Sequence, residues 1–72
     1  MNAQDFLTKM KEDVLDTEMD ITLDTPLADI EEWDSLGVVT FIAMTKASCG
    51  KKVERAAIMS AKTLQDLYAL VQ

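Results

Sequence analysis

The sequence predicts an all-α fold: a four-helix bundle of three main helices and a short third helix, with a long loop between the first two helices. A chain of 72 residues suits one domain, so residues 1–72 are expected to form a single domain. Hydrophobic residues make up 49% of the chain, enough for a core, but two Gly and one Pro are too few for the turns of a small all-β fold. Apolar residues also recur at spacings of three and four, which places them on one face of a helix.

The first two helices are predicted on either side of the long loop. Between residues 3 and 16, the apolar residues fall on one helix face: Phe6, Leu7, Met10, Val14 and Leu15. Residues 17–34 follow neither a helical nor a strand period, and we expect an ordered loop held by scattered apolar residues, Met19, Ile21, Leu23, Leu27, Ile30 and Trp33. Asp34 stands where an N-cap belongs, and helix 2 is predicted from about Ser35 to Cys49, with Gly50 as its C-terminal stop.

Two further helices are predicted in the last third of the chain. The short helix 3 is indicated by a mostly apolar run, Val53, Ala56, Ala57, Ile58 and Met59. Helix 4 follows Thr63, which with Asp66 resembles a capping box in which Asp replaces the usual Glu. The apolar face of helix 4 has the i, i+3, i+4, i+7 spacing in Leu64, Leu67, Tyr68 and Val71.

Charge and cysteine content restrict the partners and the compartment. The chain has a formal charge of −6 and a pI near 4.3, and its negative charge repels nucleic acid and anionic membranes. Basic protein partners and no nucleic acid are therefore expected. Cys49 is the single cysteine, which excludes an internal disulfide, fits a reducing compartment and favours the cytoplasm. The start at Met1 fits a free-standing protein, expected to be a monomer, with neither a secretory signal nor a membrane span.

Most kinds of catalytic and metal site are disfavoured by the residue types present. The chain has no His, which excludes Ser-His and Cys-His nucleophile pairs and His-containing metal sites. An EF-hand-like window contains Asp20, Thr22, Asp24 and Glu31, but Thr25 stands where the sharp turn needs Gly and Pro26 follows it. We therefore expect no metal site and no catalytic residue, and Cys49 is read as a small buried thiol.

Ser35 is the remaining candidate for chemistry. A serine in the first turn of a helix presents its hydroxyl where backbone N–H groups are unpaired and the helix dipole is positive. The unpaired N–H groups and the positive end of the dipole would both favour a phosphodiester built on that oxygen. Asp-Ser at a helix start is equally what simple capping needs, so the dipeptide alone leaves both interpretations open.

The pattern along the whole chain resembles the acyl and peptidyl carrier protein family. It consists of a first helix, a long loop with Leu-Asp-Thr-Pro-Leu at 23–27, Trp-Asp-Ser-Leu at 33–36, an apolar second helix, and Lys-Thr-Leu-Gln-Asp-Leu at 62–67. The resemblance implies that a phosphopantetheinyl transferase moves a 4'-phosphopantetheine arm from coenzyme A onto Ser35. It further implies that the carrier catalyses nothing and holds acyl cargo as a thioester for acyl-loading and acyl-processing enzymes.

The resemblance also suggests roles for the neighbours of Ser35. Asp34 would help to present Ser35 and the transferase metal, and Leu36 would be a partly exposed contact for partners, although simple helix packing explains Leu36 equally well. Fatty-acid carriers have an acid-rich helix 2, whereas here no acid follows Asp34 in that helix. The positions of helix 2 read as exposed are Gly37, Val38, Thr40, Met44 and Lys46. Docking should therefore depend more on apolar contact, with Val38 and Met44 as the candidates.

The acid-poor helix 2 favours a specialised carrier over a general fatty-acid carrier. Fatty-acid, polyketide and related specialised biosynthesis all remain open as the pathway. The alternative from another class is an unmodified helical adaptor that binds a partner protein through an apolar helix face.

Overall fold

The computed structural model describes all 72 residues and contains four α-helices and no strand. The helices are α1 (Ala3–Lys9), α2 (Ser35–Cys49), α3 (Arg55–Ser60) and α4 (Leu64–Leu70). The predicted all-α class is confirmed, and the short third helix lies where the apolar run after Val53 indicated it.

The first helix differs from the prediction in its last turns. After Lys9 the chain continues as a π-helical segment, Met10–Val14, and Leu15 N–H donates to Met10 O at 2.8 Å. An α-helix would place Leu15 well to one side of Met10, whereas i→i+5 bonding brings it over that residue. Met10, Val14 and Leu15 are consequently all buried, and Asp16, with φ of 49°, ends the helical segment.

The chain between the first two helices returns to the start of α4. Leu27 N–H donates to Lys62 O at 2.8 Å and Gln65 N–H donates to Leu23 O at 2.8 Å. A single 3-10 turn, Leu27–Asp29, interrupts this segment. Leu27 and Ile30 are buried, whereas Met19, Ile21, Leu23 and Trp33 are half-buried against the core.

Aromatic rings connect α1, α2, α4 and the end of the loop within the core. Phe6 of α1 meets Phe41 of α2 edge-on at a centroid distance of 6.4 Å and lies 5.2 Å from Tyr68 of α4. Phe41 in turn meets Trp33, at the end of the loop, at 6.1 Å. Edge-on pairs of this kind add to the burial of the rings themselves. The position of Trp33, and of the chain that follows it, is thereby coupled to the core.

Capping residues lie at the end of α2 and at the start of α4, as the sequence predicted. Gly50 has a left-handed φ of 67° and its N–H donates to Lys46 O at 3.1 Å, as expected of a C-terminal stop for α2. At α4, Thr63 Oγ1 accepts from Asp66 N–H, and Asp66 Oδ2 accepts from Lys62 N–H at 2.9 Å and Thr63 N–H at 3.2 Å. The predicted capping box is confirmed. Backbone donation from Lys62, then from Thr63, lowers the pKa of Asp66 from its usual 3.8.

Candidate functional site

Ser35 is the first residue of α2 and is exposed to solvent. Its hydroxyl forms no hydrogen bond within the protein, whereas the side chains of Asp34, Thr40 and Thr45, in and just before α2, each form one. The oxygen therefore has no structural partner that a modification would displace.

Asp34 caps α2, as predicted. Its Oδ1 accepts from Gly37 N–H at 3.0 Å, and its carbonyl accepts from Val38 N–H at 3.0 Å. The N–H groups of Ser35 and Leu36 have no acceptor within the protein. Because Asp34 provides the cap, the Ser35 hydroxyl is not needed for it, and two backbone donors remain free at the helix start.

Close packing fixes the chain just before Ser35. Gly37 is buried, and a Cβ placed on it would lie 3.3 Å from Glu32 O and 3.3 Å from Trp33 Cε3. A larger residue would push the end of the loop away from the first turn of α2. Glycine at position 37 thus permits the close approach that, together with the Trp33–Phe41 contact, sets the orientation of Ser35.

A groove of about 310 Å³ opens beside Ser35 and is bounded by α2 and α3. Its walls are Trp33, Asp34, Ser35, Val38, Arg55 and Met59. Three of these side chains are apolar and Arg55 is the single cation among them. The groove lies at the small end of the size range of ligand sites, about 300–1,000 Å³.

The predicted exposure of Val38 and Met44 was wrong. Val38 is 3% exposed and Met44 is 8% exposed, so both belong to the core, and Val38 also lines the groove. Gly37, also read as exposed, is buried. Apolar side chains surround almost the whole of α2, so the sequence pattern did not indicate which side faces inward. Leu36, at 72% exposed, agrees with the expectation of a surface position.

Three groove residues were missing from the predicted site. Trp33 was read only as a loop anchor and part of the motif, Met59 only as part of a short apolar helix, and Arg55 was not singled out. Packing of α3 against the start of α2 brings Arg55 and Met59 to Ser35 across some twenty positions of sequence. No local signal in the sequence indicates that juxtaposition.

The other candidate groups do not form a site. No three acidic or cysteine side chains converge into a metal-binding group, and Asp20 of the EF-hand-like window pairs with Lys11 at 3.6 Å. Cys49 is half-buried and is not part of the groove. None of the helices combines the length and the apolar character that crossing a membrane requires.

Comparison with known proteins gives one match. The family model described as the phosphopantetheine attachment site matches residues 5–71, nearly the whole chain. A search of curated proteins and a search of solved structures each found no match. The family is defined by 4'-phosphopantetheine attached covalently to a serine, and its members are carriers without catalytic activity of their own, served by phosphopantetheinyl transferases and biosynthetic enzymes. With a match over this length, the chain belongs to the phosphopantetheine attachment site family of carrier domains.

Proposed function

We propose that Ser35 carries the 4'-phosphopantetheine arm and that the protein, as a single carrier domain, holds acyl intermediates on it as thioesters. One observation carries this proposal: Ser35 presents a free, exposed hydroxyl at the start of a 15-residue helix whose cap is provided by Asp34. Of the side chains at this helix start, Ser35 alone is both an alcohol and free of hydrogen bonds.

The residues around Ser35 fit a phosphodiester at its Oγ. The free N–H groups of Ser35 and Leu36 lie at the positive end of the α2 dipole, which favours a negative charge at this position. Arg55, which lines the same groove, offers a further positive charge, while Trp33 and Met59 provide apolar surface. The arm supplies the thiol that holds cargo, and the chain's own residues supply its anchor and a partly apolar wall.

Asp34 is proposed to have two functions. Its carboxylate caps α2, and its charge, adjacent to Ser35, is available to help orient the metal-bearing site of the transferase. The helices are proposed to form a four-helix bundle in which the long loop and α2 hold Ser35 at the surface, which the shared core and the Trp33–Phe41 contact support.

The pathway is proposed to be a specialised branch of fatty-acid, polyketide or related biosynthesis, with cytoplasmic partner enzymes and a monomeric carrier. The support comes from the exposed side of α2, where Lys46 is the one charged residue. A general fatty-acid carrier is expected to display acids there. General elongation enzymes should therefore process acyl chains on this carrier more slowly than on their usual one, and equal rates would contradict the specialised assignment.

Intact-mass measurement tests the attachment site. Incubation with coenzyme A and a broad-specificity transferase should add one phosphopantetheine to the wild type and none to Ser35→Ala. Ser48→Ala, which removes another exposed hydroxyl at the opposite end of α2, is the matched control and should be modified like the wild type. An unchanged mass of the wild type, with a known carrier modified in the same tube, would refute the proposal and favour the unmodified adaptor.

A further inference from the structure

Charge is distributed very unevenly along this acidic chain. Residues 1–34 contain eleven acids and two bases, whereas residues 35–62, which include all of α2 and α3, contain five bases and one acid, Glu54. The bases of the second segment are Lys46, Lys51, Lys52, Arg55 and Lys62. The segment 35–62 is therefore cationic, opposite in sign to the whole, whereas Asp34, which lines the groove beside Ser35, belongs to the acidic segment.

The cations of this segment are available to a partner. All five are exposed, and the protein's one salt bridge joins Lys11 to Asp20, outside the segment. Glu54 neutralises none of them through a close ion pair. Lys62 lies close enough to Asp66 to help lower the pKa of that carboxyl. The charges of the other four bases are free to act on an approaching surface within about 8–10 Å at ordinary ionic strength.

Exposed apolar side chains lie in the same segment. The three large exposed hydrophobic residues of the molecule are Leu36 at 72%, Val39 at 53% and Met59 at 65%. Leu36 and Val39 are one turn apart on α2, and Met59 lines the groove that contains Ser35. Their clustering beside one serine indicates a surface that is covered in a complex.

An exposed strip of α2 links the exposed apolar residues near Ser35 to the basic residues farther along the chain. Leu36, Val39, Ala43 and Ala47 follow one another at spacings of three and four, and all are exposed. Lys46, which is also exposed, lies beside Ala43 and Ala47 on that strip and is its one charge. The strip is therefore apolar from Leu36, next to Ser35, to the last turns of α2. Lys46, in those last turns, is the first of the basic residues of the segment.

We propose that a cationic face, composed of Leu36, Val39 and Met59 with Lys46, Lys51, Lys52 and Arg55, docks onto partner enzymes whose surface is apolar at the centre and acidic at the rim. The inference rests on the proposed function, because an enzyme that reaches an arm on Ser35 approaches Leu36, next to it in the chain, and Met59 and Arg55, which line the same groove. The proposal differs from the expectation of basic partners that the net charge of −6 suggested.

A protein partner fits better than a nucleic acid or an anionic membrane. Lys46, Lys51, Lys52 and Arg55 are accompanied by three large apolar side chains, which need an apolar counterpart that a phosphate backbone does not offer. The eleven acids of residues 1–34 also repel an extended polyanion. An enzyme whose acidic docking surface covers only the cationic face avoids repulsion by these acids.

The test uses a condensing enzyme of fatty-acid elongation with a basic docking surface, and a charge-swapped form in which the basic residues of that surface are replaced by Glu. Dissociation constants are measured at low ionic strength by fluorescence anisotropy, with apo carrier and with carrier loaded at Ser35. Carrier variants are Lys46→Glu/Lys51→Glu and, as a control with the same change in net charge, Lys9→Glu/Lys11→Glu. Thermal unfolding checks that both variants fold.

The wild type should bind the charge-swapped enzyme about tenfold or more tightly than the original enzyme, and added salt should abolish the difference. Lys46→Glu/Lys51→Glu leaves two bases and two acids on the face and should abolish the preference, whereas Lys9→Glu/Lys11→Glu should bind as the wild type does. Equal binding of both enzymes by the wild type, or equal effects of both double variants, would overturn the proposal. So would tighter binding to duplex DNA or phosphatidylglycerol vesicles than to the charge-swapped enzyme.

The salt dependence of the wild type alone tests the proposal if a variant fails to fold. Loading of Ser35 is measured separately by mass, so failure of the carrier function and failure of the docking face are distinguishable.

Discussion

Replacing Asp34 should separate its capping role from its proposed role in arm transfer. Asp34→Ala removes the acceptor of the 3.0 Å bond from Gly37 N–H, and Gly37 is buried, so water does not readily replace that acceptor. Loss of an N-cap costs about 1 kcal/mol, and up to about 2 kcal/mol where the donor is left unsatisfied. The melting temperature should fall by about 4–8 °C for each kcal/mol in a domain of this size.

Asp34→Asn is the matched variant, because its carbonyl oxygen preserves the cap while the charge is lost. Its free energy of unfolding should lie within about 0.5 kcal/mol of the wild type, since Asn and Asp cap helices about equally well. Transfer of phosphopantetheine to Ser35 should nevertheless slow by about 10- to 100-fold, the usual effect of removing a group that orients a metal site.

Urea unfolding gives the stabilities, and time-resolved intact mass gives the transfer rates. Wild-type stability of Asp34→Ala would refute the capping argument. Wild-type transfer by Asp34→Asn would show that the charge has no role beyond the cap.

Three further predictions concern stability. Gly50→Ala should cost about 1 kcal/mol in chemical unfolding, because φ is 67° and no atom lies near the added Cβ, whereas Gly50→Asn should cost less. Leu36→Ala should change stability by less than about 0.5 kcal/mol and Leu67→Ala, fully buried, should cost about 2–5 kcal/mol; similar losses would contradict the burial assigned to them. Asp66→Asn should be less stable than the wild type at neutral pH. Because folding lowers the pKa of Asp66, that difference should vanish as the pH falls below 3.8 and through the folded-state value; a constant difference would contradict the capping geometry.

The helix starts and stops were predictable because their signals are local. Asp34, Gly50 and the Thr63–Asp66 pair act within a few residues, and each caps the helix for which it was predicted. The spacing of apolar residues likewise predicted the buried face of α4. These features depend on the chain near each residue and little on its distant packing.

The orientation of α2 and the walls of the groove were not predictable in this way. Val38 and Met44 are buried and Val39 is exposed because α2 packs against other helices, and an almost wholly apolar helix carries no local indication of that choice. Met59 and Arg55 reach Ser35 only through the packing of α3. The π-helical segment ending at Val14 similarly reflects burial of Leu15 rather than local preference.

Peptide-level mass spectrometry of the fully modified protein tests the central claim most directly. After reaction with coenzyme A and transferase, fragmentation should place the single phosphopantetheine on Ser35, in the peptide that contains Trp33-Asp34-Ser35-Leu36. Its presence on Ser48 or Ser60, or the absence of any modification, would contradict the account of Ser35 as the attachment site.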